Sequence, residues 1–166
     1  MQNPVVSNSS PIVHLAKIDQ LNLLHEFYGD ILIPEAVYYE CVSEGKKHPE
    51  VSRIKQATWL QVMPVTIEDL VKLLNSEVDH GESEAITLAL EKEASLILLD
   101  DADARQKARL YQLRITGTLG LLLRAKIIGK IDSLSQLLLS LRKTGFWVSI
   151  ELENRLLTEA GERENK

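Results

Sequence analysis

Ser95-Leu96-Ile97-Leu98-Leu99-Asp100-Asp101-Ala102-Asp103 is the stretch that decides the fold. Its first half is a continuous apolar run bounded by polar residues, the pattern of a strand buried on both faces. Its second half sets carboxylates directly at the C-terminal end of that strand, and 101–112 reads as the helix that follows. An open α/β sheet keeps its functional crevice outside the carboxyl ends of its strands, so this stretch predicts both a fold class and a place for a site. An Asp there also serves as the N-cap of the next helix, and one of Asp100 and Asp101 is expected to do so. Asp103 adds a further acid in the first helical turn. Crowded carboxylates repel one another unless a cation or a basic neighbour offsets them; Arg105 is such a neighbour in sequence.

Working outward, Pro4–Ser7, Ile31–Ile33 and Leu113–Ile115 read as further short strands, and Leu60–Val65 as one that Pro64 confines to a sheet edge. Between them lie helical stretches. Ser10 with Pro11 is expected to open the first, Asp19 the second, which Gly29 closes, and Pro34 the third, running to about Ser43. Residues 44–57 read as a turn and a short helix, Thr66 as the cap of a helix holding Leu70, Leu73 and Leu74, and 82–93 as another helix. Thr118 is expected to cap a helix ending near Gly129, followed by helices at 133–143 and about 150–162, with a frayed tail after Gly161. Strands alternating with helices predict an α/β three-layer sandwich, a mostly parallel sheet of four or five strands with helices on both faces. No repeat or linker interrupts the 166 residues, so a single domain is expected, its core at about 4–129 and C-terminal helices at about 133–162.

An apolar fraction of 45% and a charged fraction of 26% are those of an ordinary globular chain. The single cysteine, Cys41, forms no internal disulfide, and no signal peptide or membrane-length apolar run is evident, which predicts a cytoplasmic protein without a membrane anchor. A net charge of −5 argues against gripping nucleic acid by charge alone, yet leaves open a nuclease whose acids are offset by bound cations. Local basic groups are Lys46 with Lys47, Arg105 with Arg109, and Arg124 with Lys126 and Lys130; on helices such groups are also simply solvated faces. The histidines (His14, His25, His48, His80) and Cys41 show no zinc-ligand spacing.

The phase of each acid on its own helix discriminates further. Glu40 falls three residues after Val37, on the apolar stripe Ile33, Val37, Cys41. An acid on a core-facing stripe is costly unless it finds a cation or a hydrogen-bond partner; the alternative is an edge position that reaches water. Glu82 precedes Ala85 and Ile86 and sits over the stripe of its helix, whereas Glu84 groups with Thr87, Leu88 and Glu91 toward solvent. Glu82 is therefore favoured as a ligand, with Glu84 behind it or on the surface. Asp79-x-x-Glu82 also has the form of a capping box, which stabilises a helix by itself.

At these residues the chain resembles the PIN-domain family of metal-dependent ribonucleases, which includes the VapC-type toxins. The resemblance runs from Val5 to about Gly129. It is carried by Val5-Val6-Ser7-Asn8-Ser9-Ser10-Pro11, Pro34–Glu40, Gly81–Ile86, Leu98–Arg105 and Thr116–Gly120, in that order. It implies a sheet of order 3-2-1-4-5 with four acidic positions gathered at one end: Asn8 after strand 1, Glu40 on the helix after strand 2, Glu82 opening a helix, and Asp100 ending strand 4. Glu82 and Asp100 stand 18 residues apart (100 − 82), the family's usual separation. Asp101 or Asp103 would be a further acid near the metal.

The implied chemistry is hydrolysis of RNA phosphodiesters with Mg²⁺ or Mn²⁺, with Asn8, Glu40, Glu82 and Asp100 as the catalytic set and Asp101 beside the metal. Ser9, Ser10 and Thr118 stand where hydroxyls could touch phosphate, helix capping being their other reading, and Arg105 with Arg109 could steer the RNA backbone. The family ordinarily has Asp where this chain has Asn8; its carbonyl oxygen still suits a hard cation but withdraws a charge. The resemblance further implies a homodimer and a cognate antitoxin protein. The leucines after Gly129 would serve an interface or pack within the chain. The competing readings are a catalytically weak or inactive PIN-like binding module and a receiver-like phosphoacceptor. The latter expects its acidic pair after the first strand, where this chain has Ser7-Asn8-Ser9.

Overall fold

A computed structural model describes residues 3–43 and 47–164; Lys46 lies outside them. The chain divides into two compact units, Met1–Gly117 and Thr118–Lys166. The first runs β1 (Val5–Ser7), α1 (Ser9–Lys17), α2 (Asn22–Tyr28), β2 (Ile31–Pro34), α3 (Glu35–Val42), α4 (Pro49–Gln56), β3 (Leu60–Met63), α5 (Glu68–Leu74), α6 (His80–Glu91), β4 (Leu96–Leu98), α7 (Ala102–Leu110) and β5 (Ile115–Thr116). The second holds α8 (Thr118–Ile127), α9 (Leu134–Lys143) and α10 (Ile150–Glu159).

The five strands form one sheet of order β3-β2-β1-β4-β5, and every adjacent pair is parallel. This is the α/β architecture that the strand–helix alternation predicted and the strand order that the resemblance implied. β4 lies between β1 and β5: Ser7 pairs with Leu98 and Leu98 with Thr116. Val6, Ile31, Ile33, Ile97 and Leu98 are fully buried, as strands covered on both faces require. The edge position of β3 agrees with Pro64 just beyond it. After β1 the chain steps outward to β2 and β3, then crosses back to β4 on the other side of β1. Crossovers are right-handed, so the two directions of travel cover opposite faces. The strand order reverses between β1 and β4, and that reversal opens the crevice at their carboxyl ends.

Several boundaries differ from the sequence expectation, each for a local reason. The N-cap position of α1 is Asn8, two residues before Ser10, and its side chain makes no cap bond. α2 starts at Asn22 because Asp19 takes a left-handed backbone (φ 58°) that interrupts the helix. Thr66 does not cap α5. The N-cap position is Ile67, and Glu91 of α6 accepts from the Thr66 and Ile67 amides at 2.7 and 2.6 Å. α6 has no solvent side over most of its length: Thr87 and Leu88, expected toward water, are fully buried. It is packed against β1, β2, β4, α3 and α5 at once, so its phase marks the sheet side without leaving the opposite side free.

In the second unit, Ser133 and Ser149 cap α9 and α10, accepting from Gln136 N and Leu152 N at 3.2 and 3.1 Å. Leu134, Leu138, Leu141, Leu156 and Leu157 are buried. Just past Gly161 the chain is held by hydrogen bonds rather than frayed. That glycine adopts φ 74°, turning the chain so that Glu162 accepts from Leu134 N (2.7 Å) and Ser135 N (3.2 Å) at the start of α9. Among the described residues no helix is long and apolar enough to cross a membrane.

Candidate functional site

Asn8 follows β1, and its amide donates to Leu98 O (3.0 Å), which ties the carboxyl ends of β1 and β4 together. It holds the N-cap position of α1, where an Asn side chain normally turns back onto the second or third helical N–H. Here it makes no cap bond. The third helical residue is Pro11, which has no N–H to offer. Asn8 is 2% exposed, and its Oδ1 is a buried acceptor with no hydrogen-bond partner. Leaving such an atom unsatisfied costs roughly 1–3 kcal/mol. A donor or a cation arriving there would recover it.

Glu40 comes from the neighbouring element. It shares the α3 stripe of Val37 and Cys41, both buried, and is itself half-buried. Its Oε2 accepts from Ser9 Oγ at 2.6 Å, so the first helical residue of α1 holds the acid of α3. Burial, aided by the Glu40 charge, pushes the Cys41 thiol up to about 12, which leaves it an inert part of the core.

Glu82 is buried in the first turn of α6. It is half of a complete capping box: Asp79 Oδ1 accepts from Glu82 N (2.8 Å), and Glu82 Oε2 accepts from Asp79 N (3.1 Å). Burial pushes its carboxyl up to about 7. The Asp79 amide pulls the other way, and the charges of Asp79, Asp101 and Glu40 add to the rise. Glu84 has a different part. Its Oε2 accepts from Ala36 N (3.1 Å), and its Oε1 lies 3.4 Å from His80 Nε2. It therefore satisfies an open amide at the start of α3 and fixes that helix to α6.

Asp100 is half-buried just past Leu99, whose amide donates to Thr116 O (2.9 Å). Arg105 returns from α7 to donate to Leu99 O (2.9 Å). Burial, then Arg109, lowers the Arg105 pKa, and Asp100 opposes that. On the α1 side, burial lowers the pKa of His14, against the charge of Asp100 and with that of Lys17. Asp101 is the N-cap of α7, accepting from Ala104 N at 2.9 Å, so the capping reading of the acidic pair falls on it. Asp103 is exposed in the first turn of α7. Ser10 is half-buried in the first turn of α1. Thr118 is buried and belongs to the second unit, as the first residue of α8.

Asn8 and Asp100 thus stand at the carboxyl ends of adjacent strands, and Glu40 and Glu82 on helices packed against each other. Glu82 feels Glu40, and His14 beyond Asn8 feels Asp100. Among the described residues, however, no three His, Cys, Asp or Glu side chains are gathered into a ready ligand set. The carboxylates of Glu40 and Glu82 are held by protein donors instead. The donor set is all oxygen, which suits Mg²⁺ or Mn²⁺ rather than zinc. Mg²⁺ keeps several waters and needs only one or two carboxylates, and the partnerless Asn8 Oδ1 is an acceptor of the right kind. These residues fit a largely hydrated hard cation.

Two glycines were not singled out by sequence reasoning. A Cβ on Gly81 would stand 2.2 Å from Glu40 Oε1, and one on Gly117 would stand 2.7 Å from Asp100 Oδ1. The sequence expectation begins this helix at 82 and so leaves Gly81 outside it, whereas α6 starts at His80 and places Gly81 in its first turn, where glycine is a poor helix former. A family model described as a PIN domain matches residues 4–162 of the chain. Among curated proteins none matches it.

Proposed function

The chain belongs to the PIN-domain family, and from that premise we propose that it is a metal-dependent endoribonuclease, the toxin of a toxin–antitoxin pair. PIN domains are generally nucleases, and the fold is nuclease-like. The observation that carries the finer reading is the buried, partnerless Oδ1 of Asn8 at the crevice between β1 and β4.

In this reading Asn8, Glu40, Glu82 and Asp100 hold Mg²⁺ or Mn²⁺, with Asp101 at the rim. When bound, the cation supplies a nucleophile at neutral pH and stabilises the charge that builds on the phosphate. Ser9 keeps the Glu40 carboxylate aimed, and Glu84 keeps α3 at its distance from α6. Burial raises the Glu82 carboxyl to about 7, so it is partly protonated near neutrality in the metal-free protein, and a neighbouring cation favours its ionised form. Arg105 and Arg109 attract the RNA backbone by charge, which positions the strand without reading its sequence. A homodimer, a cognate antitoxin that covers the crevice, and a cytoplasmic setting belong to the same reading.

The test is cleavage of a mixed single-stranded RNA pool with Mn²⁺, with Mg²⁺ and with EDTA, beside a Glu82→Gln, Asp100→Asn variant. Metal-dependent cutting that falls by about 10²-fold or more in the variant is expected. A second reading, a PIN-like module that binds without cutting, is favoured by the charge missing at Asn8 and by the absence of a ready ligand set among the described residues. No cutting by folded, antitoxin-free protein, with cutting restored by Asn8→Asp, would select it.

A further inference from the structure

Gly81 and Gly117 each lie against one of the proposed ligands, and neither needs to be glycine for its backbone, since neither has a positive φ. What each provides is space. A Cβ on Gly81 would stand 2.2 Å from Glu40 Oε1 and 2.8 Å from Oε2 and Cδ, well inside contact distance. A Cβ on Gly117 would stand 2.7 Å from Asp100 Oδ1, 2.8 Å from Arg105 Nη1 and 2.9 Å from the Leu99 carbonyl. That carbonyl is backbone and cannot swing aside.

Two contacts limit how far Glu40 can swing aside. Ser9 Oγ holds Oε2 at 2.6 Å, and Glu84 pins the start of α3 through Ala36 N. Gly81, the second residue of α6, faces the Glu40 carboxylate on its Oε1 side. Glycine in a helix costs about 1 kcal/mol against alanine, so this position gives up helix stability and gains room for a carboxylate.

We infer that Gly81 and Gly117 are positioning residues: their missing side chains leave the space in which the Glu40 and Asp100 carboxylates stand, and so set where the crevice acids are held. The inference deepens the ribonuclease reading and rests on it wherever a metal is concerned.

The experiment compares Gly81→Ala, Glu40→Asp and the Gly81→Ala, Glu40→Asp double variant with the parent chain. Mn²⁺ affinity is read by calorimetry, the Glu40 carboxyl ¹³C resonance by NMR in metal-free protein, and folding by circular dichroism. Gly81→Ala is expected to weaken Mn²⁺ about tenfold or more, the size of effect seen when a ligand's supporting contact is lost. Glu40→Asp should weaken it in the parent. In the Gly81→Ala background the same change should restore binding, because the shorter side chain withdraws from the added methyl group. A loss of packing alone would not reverse sign in this way. Unchanged affinity in Gly81→Ala, or a double variant weaker than both singles, overturns the inference. If the parent itself binds no Mn²⁺, the metal reading fails. The ¹³C resonance then decides alone: a shift in Gly81→Ala supports the positioning role, and an unmoved resonance refutes it. Should Gly81→Ala fail to fold, Gly117→Ala, read at the Asp100 resonance, decides by the same criterion.

Discussion

Glu82 and Glu162 both accept a backbone amide at the start of a helix, yet their carboxyls shift in opposite directions. Each accepts a backbone amide at the start of a helix, Glu82 from Asp79 N before α6 and Glu162 from Leu134 N and Ser135 N at α9. Burial pushes both carboxyls up. For Glu162 the bonds from Ser135 and Leu134 amides and from the Ser133 and Ser135 hydroxyls more than reverse that, and its pKa is lowered. Glu82 has one such amide, and acids around it instead of donors, so it stays up at about 7. Glu162 also has Lys126 Nζ at 4.0 Å. A helix N-terminus by itself therefore does not tell a structural carboxylate from a functional one. The difference lies in how deeply the carboxylate is buried and in whether the protein supplies enough donors to offset that burial. At α9 it does, and at the crevice it leaves the charge short of partners.

The largest effect expected from this contrast is a stability change of opposite sign on removing each charge. The folded-state carboxyl of Glu82 titrates near 7, above the roughly 4.3 of an unfolded glutamate. Between those values the folded chain keeps a proton that the unfolded chain has lost, so the group's contribution to stability falls as pH rises through that window. Glu82→Gln, which imitates the protonated form, should therefore stabilise the metal-free protein by about 1–3 kcal/mol at pH 8 and flatten its stability between pH 5 and 8. Chemical denaturation across pH measures this. A destabilised variant at pH 8 would mean that Glu82 serves the fold, and the contrast with Glu162 would be lost.

Glu162→Gln should do the reverse, on a smaller scale. Its folded-state pKa is lowered, so its contribution is full above about pH 4.3 and disappears as pH falls through the lowered value. Losing a charged helix cap costs about 1 kcal/mol, visible at neutral pH and fading in acid, with no change in Mn²⁺ affinity. Equal destabilisation at pH 3 and pH 7 would show that packing, not charge, holds the tail against α9.

The parts of this contrast that were legible in the sequence are those set by neighbours along the chain. The β4 strand and the acids after it, the edge strand before Pro64, the Asp79–Glu82 capping box and the cap at Asp101 all follow from local pattern. Helical phase also put Glu40 and Glu82 on the inward stripes of their helices, where they are half-buried and buried. What stayed hidden depends on residues far apart in sequence: Ser9 on Glu40, Glu84 on Ala36, Glu91 on Thr66. Phase also misjudged the outer side of α6, because it locates the side facing the sheet and is blind to α3 and α5 covering the other. The tail was misread for a similar reason. Nothing local to Glu162 announces that Gly161 will turn it toward a helix that began 28 residues earlier.

The smallest predicted effect separates placement from mere charge count. Asp101 and Asp103 are two residues apart in an acidic run, yet Asp101 caps α7 through Ala104 N while Asp103 lies exposed in its first turn. An acid in a helical first turn gains roughly 0.3–1 kcal/mol from the helix dipole. Asp103→Asn should therefore shift stability by no more than a few tenths of that scale's upper end and leave Mn²⁺ affinity at the parent value; Asp101→Ala should cost about 1 kcal/mol through the lost cap. Thermal denaturation and Mn²⁺ calorimetry on the two variants decide the matter. If Asp103→Asn weakens Mn²⁺ as much as a change at Glu82 or Asp100 does, the crevice attracts cations through its summed field. The burial and seating of individual acids would then matter less than their number, and the difference between Glu82 and Glu162 would reduce to the company of other charges.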